Sequence, residues 1–203
     1  MNPVAQALVE TKAVHLKKDP EEYFTWTSGR KSPIYCDNRQ IISYPEYRKT
    51  ITHKFCKLIN EDYSDCELIA ATATAGIPWG AWIADQLNLP LVYIRSKPKG
   101  HGLQTAIEGR FLAGQKTLII EDLISTGKSS LEAYAHCQQA ELDTLAVLSI
   151  FNYGFKDAVK NFSDHALAYQ SLCDVETMLD YAQASKLIDS EQAQAILHWR
   201  DTF

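Results

Sequence analysis

The sequence lacks an excess of basic residues, a long apolar run and any C-x-x-C pair. Its 20 Lys and Arg residues stand against 25 Asp and Glu, giving a formal net charge of -5 and a pI near 5.7. General nucleic-acid and membrane-surface binders normally carry surplus Lys and Arg, so the composition argues against both partners. No apolar stretch approaches bilayer length, and the N-terminal residues lack the apolar core of a signal peptide. We therefore expect a cytoplasmic protein without a membrane or nucleic-acid partner.

The cysteines exclude two further classes of site. They are odd in number and widely spaced: Cys36, Cys56, Cys66, Cys137 and Cys173. This pattern is typical of neither a disulfide framework nor a zinc site. We expect all of these thiols to be reduced and buried.

The chain does contain enough apolar material for one folded domain, with 203 residues of which 46% are hydrophobic. Helical spacing covers residues 3–17, 45–59, 80–87, 128–139 and 190–199, while strand-like apolar or β-branched runs cover 68–74, 91–95, 117–122, 145–151 and 167–172. This alternation predicts right-handed βαβ units and a parallel α/β sheet. Such a sheet binds ligands beyond the carboxyl ends of its strands.

The stretch TLIIEDLISTGKSS, residues 117–130, holds the most informative pattern. Gly127-Lys128-Ser129 is similar to the end of a nucleotide-binding P-loop, G-x-x-x-x-G-K-[ST]. That loop needs its first glycine where this chain has Asp122, because the backbone must wrap closely around phosphate. A carboxylate there would face the nucleotide's own negative charge. We therefore reject the P-loop interpretation.

The other interpretation places Glu121 and Asp122 at the end of a buried strand, ahead of a short loop and a helix N-terminus. The hydroxyls of Ser125, Thr126 and Ser129, with loop amides and the helix dipole, can hold a phosphate group. The two carboxylates can accept hydrogen bonds from sugar hydroxyls, so the pattern favours a ribose 5-phosphate ligand. A plain strand-to-helix turn is the alternative, but adjacent buried carboxylates would be a costly way to build one.

The stretch LIIEDLISTGKS resembles the phosphoribosyl-diphosphate (PRPP) motif of the type I phosphoribosyltransferases. The resemblance implies an α/β, parallel-sheet type I phosphoribosyltransferase fold with a small N-terminal hood and a flexible lid loop. It implies one domain over residues 1–203, with the N-terminal helix and hood over about 1–45 and the core, closed by a C-terminal helix, over about 46–203. PRPP would bind along the motif, at Glu121, Asp122, Leu123, Ile124, Ser125, Thr126, Gly127, Lys128 and Ser129.

Three further segments resemble the orotate phosphoribosyltransferases within that family: FTWTSGRKSPIYCDNR (24–39), ATATAGIPWGAW (71–82) and YIRSKPKGHG (93–102). By this resemblance the first segment belongs to the hood, where backbone amides of Tyr35 and Cys36, together with Ser125, bind orotate. Arg30 and Lys31 would make the hood entrance basic, although a solvated surface turn is the alternative. The second segment would contain the loop that receives pyrophosphate.

The third segment carries several potentially cationic side chains between Arg95 and His101 in an otherwise acidic protein. A solvated charged face is the plain alternative, but the glycines among them favour a lid that closes on a polyanion. By resemblance Arg95, Lys99 and His101 bind pyrophosphate, and the lid completes the active site of the neighbouring subunit in a homodimer. Lys99 and His101, with Glu121 and Asp122, are the expected catalytic residues.

The chain departs from the family pattern at several places. Thr27 and Ser96 stand where some bacterial members carry lysine. Lys128 replaces a second glycine of the phosphate loop, and we expect it to point to solvent from the first helical turn. The arginine that some members place after the fourth strand to bind the orotate carboxylate is not evident, because residues 151–153 are Phe-Asn-Tyr.

The resemblances imply transfer of ribose 5-phosphate from PRPP to orotate, giving orotidine 5'-monophosphate and pyrophosphate in the synthesis of UMP. Mg2+ is the expected cofactor, carried by PRPP rather than by protein ligands. Two other functions stay open. Phosphoribosyl transfer to a purine base is disfavoured by the hood segment. A non-catalytic PRPP sensor is disfavoured because the sequence has no basic helix-turn-helix and keeps its lid residues.

Overall fold

The computed structural model describes residues 1–26, 29–96 and 106–202. Its strands are β1 (Val14–Leu16), β2 (Phe24–Thr25), β3 (Lys31–Ser32), β4 (Ile34–Cys36), β5 (Leu68–Thr72), β6 (Leu91–Ile94), β7 (Ile107–Glu108), β8 (Lys116–Ile124), β9 (Asp143–Asn152) and β10 (Tyr169–Asp174). Its α-helices are α1 (Pro3–Glu10), α2 (Pro45–Asp62), α3 (Gly76–Leu87), α4 (Lys128–Gln139), α5 (Lys156–Asp164), α6 (Val175–Ala184) and α7 (Ser190–Arg200). Short 3-10 helices cover Pro20–Glu22 and Asn38–Ser43.

A six-stranded sheet in the order β10-β9-β8-β5-β6-β7 forms the centre of the fold. Its strands run parallel except for β7, which pairs antiparallel with β6 at the edge. The strands are joined by helices, so the parallel α/β fold predicted from the alternating pattern is confirmed. The carboxyl ends of β5 and β8, which are neighbours in the sheet, meet at one edge.

The sheet is buried on both faces, which explains why its central strands lack an alternating pattern. Every residue of β5 is buried, and Leu118, Ile119 and Ile120 of β8 have no exposed surface. Burying an aliphatic side chain of this size stabilises the fold by about 1.5–3 kcal/mol. The edge that carries the polar residues is therefore held by a rigid core.

The close packing of α3 against β8 requires a glycine at the start of that helix. A Cβ added to Gly76 would lie 2.5 Å from the carbonyl oxygen of Ile120 and 2.7 Å from the Thr72 hydroxyl. The sequence interpretation placed this glycine in the segment that would receive pyrophosphate. The structure shows that packing between the chain's own elements already demands it.

The N-terminal segment forms two small antiparallel sheets, β1 with β4 and β2 with β3. Helix α7 packs against this segment, since the indole nitrogen of Trp199 donates to the carbonyl oxygen of Lys31 at 2.9 Å. The ring of Trp199 also lies 5.7 Å from that of Trp26, in an edge-on arrangement. The C-terminal helix thereby holds the hairpin of β2 and β3 in place.

Several element boundaries differ from the predictions. The helix predicted over residues 3–17 ends at Glu10, because Lys12 takes a left-handed conformation with φ of 57° and the chain then enters β1. Helices α5 and α6 were not predicted. The short strand β7 was not predicted either. The limits predicted for α4, residues 128–139, are confirmed.

Candidate active site

Two adjacent carboxylates lie near the carboxyl end of β8. Glu121 has only 5% of its surface exposed, and Asp122 is partly exposed. The hydroxyl of Ser129, at the start of α4, donates to Oε1 of Glu121 at 3.2 Å, and the Asp122 amide donates to Oε2 at 3.3 Å. The pair was predicted at the end of a strand over residues 117–122. The strand continues for two more residues to Ile124, and the pair lies near its carboxyl end, ahead of the start of α4.

Burial shifts the ionisation of both carboxyl groups. It raises the pKa of Glu121 from its ordinary 4.5 to about 8, and the neighbouring charge of Asp122 acts in the same direction. Burial also raises the pKa of Asp122, while the positive charge of Arg39 opposes that rise. In the free site Glu121 therefore holds a proton near neutral pH. A positively charged group placed beside the pair would favour its ionised form.

The loop after β8 turns directly into α4. Gly127 is the N-cap and has a φ of 78°, and a Cβ there would lie 2.8 Å from the ring of Phe162. The side-chain amide of Asn161 donates to the carbonyl oxygen of Thr126 at 2.9 Å, which fixes the loop from the α5 side. The free amides of a helix N-terminus make a site suited to phosphate.

The side chains around this loop differ in exposure. Ser125 and Thr126 are half-buried, and Ser129 and Lys128 are exposed. The Lys128 side chain thus leaves the first turn of α4 towards solvent, as expected from its position. Leu123 is partly buried and Ile124 is buried within β8, so their side chains belong to the wall and the core around the site.

A cavity of about 350 Å³ opens between the loop and the N-terminal segment. It is lined by Thr25, Trp26, Tyr35, Cys36, Leu123, Ser125 and Tyr153. Its volume is within the range usual for small-molecule sites, and its wall combines aromatic surface with a few polar groups. The three residues predicted to bind orotate all contribute to this cavity.

The two predicted backbone donors face in opposite directions. Asp37 donates to Ala13 at 2.7 Å and Lys17 donates to Pro33 at 2.8 Å. The alternation of an antiparallel ladder then directs the amide of Tyr35 towards β1 and that of Cys36 away from it. The Cys36 amide donates to the hydroxyl of Tyr153 at 3.0 Å.

A buried amide connects this cavity to the acidic pair. Asn38 has no exposed surface, and its Nδ2 donates to the carbonyl oxygen of Asp122 at 2.6 Å. Its Oδ1 accepts a hydrogen bond from the thiol of Cys36 at 3.3 Å. Burial raises the pKa of that thiol, which keeps it protonated as a donor. Asn38 thereby links the strand that lines the cavity to the end of β8.

A smaller cavity of about 40 Å³ lies on the other side of Glu121, large enough for ordered water. Thr72, Arg95, Ser129 and His136 are among its lining residues. The guanidinium of Arg95 lies 3.4 Å from a carboxylate oxygen of Glu108. Arg95 therefore lines the same small cavity as Glu121, while its own ion pair is with Glu108.

Part of the predicted site lies outside the described residues. Lys99 and His101 fall in the range 97–105, and Thr27 falls in the range 27–28. Their proposed roles stay predictions.

Three residues near the site escaped the sequence interpretation: Asn38, Arg39 and Tyr153. Asn38 and Arg39 follow Cys36 after one intervening residue, so extending the predicted site to the end of the IYCDNR stretch would have included them. Tyr153 lies in a segment that was noted only for its missing arginine. No local pattern signals its approach to Cys36.

No helix within residues 1–26, 29–96 and 106–202 is both long and apolar enough to cross a membrane. Within the same ranges no cluster of three or more His, Cys, Asp or Glu side chains is arranged to hold a metal ion.

The chain is similar to known proteins over nearly its full length. An orotate phosphoribosyltransferase from Fusobacterium nucleatum subsp. nucleatum is 44% identical over 198 residues, which is 98% of this chain and 94% of the relative. Another from Streptococcus mutans serotype c is 50% identical over 188 residues, covering 93% of this chain and 89% of the relative. No protein-family model matches the chain.

A solved structure is similar to this chain in fold. Leishmania donovani UMP synthase superposes with a TM-score of 0.83 at 25% identity and covers 98% of this chain. The chain spans 42% of that longer protein.

Proposed function

The chain belongs to the orotate phosphoribosyltransferase family, and we propose that it transfers ribose 5-phosphate from PRPP to N1 of orotate in the synthesis of UMP. The products are orotidine 5'-monophosphate and pyrophosphate. The observation that carries the proposal is the acidic pair of buried Glu121 and partly exposed Asp122, followed by the phosphate-type loop and the start of α4. The resemblance of the motifs to this family is confirmed by its relatives.

The reaction forms a bond from N1 of orotate to the anomeric carbon while the bond from that carbon to pyrophosphate breaks. N1 gives up its proton, which water or the departing pyrophosphate accepts. The electron pair of the broken bond leaves with pyrophosphate, so positive charge builds on the ribose. Glu121 and Asp122 accept hydrogen bonds from the ribose hydroxyls and stabilise this charge. Their attraction grows as the charge develops, which lowers the barrier rather than merely tightening substrate binding.

Other parts of the chain bind the 5-phosphate, the base and the pyrophosphate. The loop from Leu123 to Gly127 and the first turn of α4, with Lys128 and Ser129, bind the 5-phosphate through amides and hydroxyls. Ser125, Tyr35 and Cys36 contact orotate in the larger cavity, under a hood formed by the N-terminal 45 residues or so of a single domain. Arg95, Lys99 and His101 neutralise the departing pyrophosphate.

The oxygen ligands near the site fit a hard divalent cation. Glu121, Asp122 and Thr72 supply carboxylate and hydroxyl oxygens, the ligands that Mg2+ prefers alongside substrate phosphates and water. As expected from the sequence, Mg2+ would be carried by PRPP oxygens and water, and these residues would face that complex rather than replace its ligands. When bound, Mg2+ would screen the charge of the diphosphate. Full activity in excess chelator would remove the metal from this proposal.

The reaction is tested by following the absorbance of orotate in the presence of PRPP and Mg2+. Consumption of orotate, with little turnover of uracil or of purine bases, is the expected result. Uracil lacks the carboxylate for which the basic residues Arg30 and Lys31 are proposed. Preferred turnover of a purine base would reassign the substrate. Binding of PRPP without turnover of any base would instead indicate a sensor.

The assembly proposed is a two-fold homodimer in which the lid of one subunit completes the site of the other. An inactive Lys99→Ala subunit is mixed with an inactive Asp122→Asn subunit under conditions that exchange subunits. Each mixed dimer then gathers both lesions in one site and leaves the other intact, so activity returns to about a quarter of wild type if pairing is random. If the lid serves its own subunit, no activity returns.

We also assign the chain to the cytoplasm. All five cysteines are free and buried, which is the state usual in a reducing compartment. Fractionation of the source cells, followed by detection of the chain, tests this assignment.

A further inference from the structure

Tyr153 contributes a hydroxyl to the wall of the larger cavity from just beyond β9. The residue is 3% exposed, yet it lines the cavity together with Cys36 and Ser125. Its ring stacks on Phe155 at 5.2 Å with an angle of 3° between the ring planes, and it lies 5.2 Å from the ring of Trp26. Aromatic packing on both sides therefore fixes where the hydroxyl points.

The hydrogen bond from Cys36 determines which role that hydroxyl can play. Because the Cys36 amide donates to it at 3.0 Å, the oxygen of Tyr153 is the acceptor and its own hydrogen is left to donate. Among the residues that the structure describes, no acceptor takes this hydrogen. Burial raises the pKa of Tyr153 well above its ordinary value of 10.0, so the hydroxyl keeps its hydrogen at neutral pH.

Thr25, Tyr35 and Ser125 also bring hydroxyls to the cavity wall. These side chains are exposed or only half-buried, whereas that of Tyr153 is buried and its oxygen is held by the Cys36 amide. A base with carbonyl and carboxylate oxygens presents several acceptors to this wall. A buried donor opposite an acceptor oxygen discriminates strongly between bases, because a base without that oxygen leaves the donor without a hydrogen-bond partner.

We propose that the Tyr153 hydroxyl donates a hydrogen bond to an acceptor oxygen of the pyrimidine base and so determines base specificity, with the Cys36 amide holding the hydroxyl in the donating orientation. The inference rests on the proposed function, because it requires the base to occupy this cavity. It adds a residue just beyond β9 that contacts the base and packs against the hood residues Trp26 and Cys36.

The test compares Tyr153→Phe with wild type. The variant removes one oxygen atom and keeps the stacked ring. We expect the KM for orotate to rise about tenfold to a hundredfold, the range for a hydrogen bond to a charged or strongly polar acceptor. The KM for PRPP should stay within about twofold of wild type, because the acidic pair and the phosphate loop are unchanged.

Tyr181→Phe is the matched control. It also removes a tyrosine hydroxyl that makes one hydrogen bond, to Glu10 at 2.7 Å, but at an exposed position away from the cavity. Both KM values should equal those of wild type in this variant. A rise in the orotate KM in both variants would attribute the effect to general loss of stability and overturn the inference.

Three results for Tyr153→Phe would overturn the proposal. An unchanged orotate KM would show that the hydroxyl does not contact the base. A lowered orotate KM would show that it competes with the base for the Cys36 amide. An equal rise in the KM values of orotate and PRPP would indicate distortion of the whole site. Failure of the wild-type enzyme to turn over orotate would instead contradict the proposed function.

A second variant keeps the test decisive if Tyr153→Phe does not fold. Fluorotyrosine introduced at position 153 retains the hydroxyl and makes it a stronger hydrogen-bond donor. The orotate KM should then fall below that of wild type while the KM for PRPP is unchanged. An orotate KM equal to or above that of wild type would contradict donation to the base.

Discussion

The buried carboxyl group of Glu121 makes the stability of the free enzyme depend on pH in a defined direction. In the unfolded chain this group ionises near its ordinary value of 4.5, whereas burial raises its pKa in the folded protein to about 8. Between these values the folded state holds more protons than the unfolded state. The contribution to stability is therefore complete below pH 4.5 and is lost as the pH rises through 8.

The magnitude follows from the two pKa values of Glu121. Each unit of difference corresponds to about 1.4 kcal/mol, so the free energy of unfolding should fall by about 3 kcal/mol between pH 5 and pH 8. The glutamine of Glu121→Gln cannot ionise and keeps an oxygen that accepts from Ser129. The free energy of unfolding of this variant should therefore not show that loss. For a chain of this size the difference amounts to roughly 10 °C in Tm.

The assay is thermal unfolding of wild type and Glu121→Gln at pH 5, 6, 7 and 8, without substrates. The Tm of Glu121→Gln should increase steadily relative to that of wild type as the pH rises. Glu10→Gln is the control. Hydrogen bonds from Tyr47 and then Tyr181 lower the pKa of Glu10, so its contribution is lost only as the pH falls below 4.5. The difference in Tm between Glu10→Gln and wild type should stay constant from pH 5 to pH 8. Parallel curves for wild type and Glu121→Gln would refute the reasoning.

Three further substitutions test other parts of the site. Asp122→Asn nearly preserves volume at a strand end, so kcat should fall at least a hundredfold with Tm little changed; near-normal turnover would remove Asp122 from the mechanism. Gly127→Ala should destabilise the fold by about 1–3 kcal/mol more than Gly114→Ala in denaturant unfolding, because both glycines have a φ of 78° but only Gly127 would place a Cβ against Phe162. Equal losses would show that the ring moves aside freely. Asn38→Ala should cost about 1–3 kcal/mol in the same assay, since it leaves the buried carbonyl of Asp122 without its donor; an unchanged free energy of unfolding would show that this link is dispensable.

Local patterns determined the centre of the fold and the acidic half of the site. The run from Thr117 through Ser130 contains a continuous apolar strand, two carboxylates, a glycine and the start of a helix within one short stretch of sequence. Each of these features depends on near neighbours, so the strand end, the loop and the limits of α4 could be predicted. Strand β1 could not, because its three residues gain their extended form from pairing with β4 rather than from their own pattern.

The base-binding half of the site was decided by tertiary structure. Cys36 and Tyr153 are separated by 117 positions, and Asn38 and Asp122 by 84. A periodic pattern shows which face of a strand is buried but not which distant group its amide will meet. Those partners are chosen when the N-terminal segment packs over β8 and β9, where every buried donor and acceptor must find a partner within the volume that the core leaves. The sequence alone determined the ribose-phosphate chemistry, and packing determined which groups surround the base.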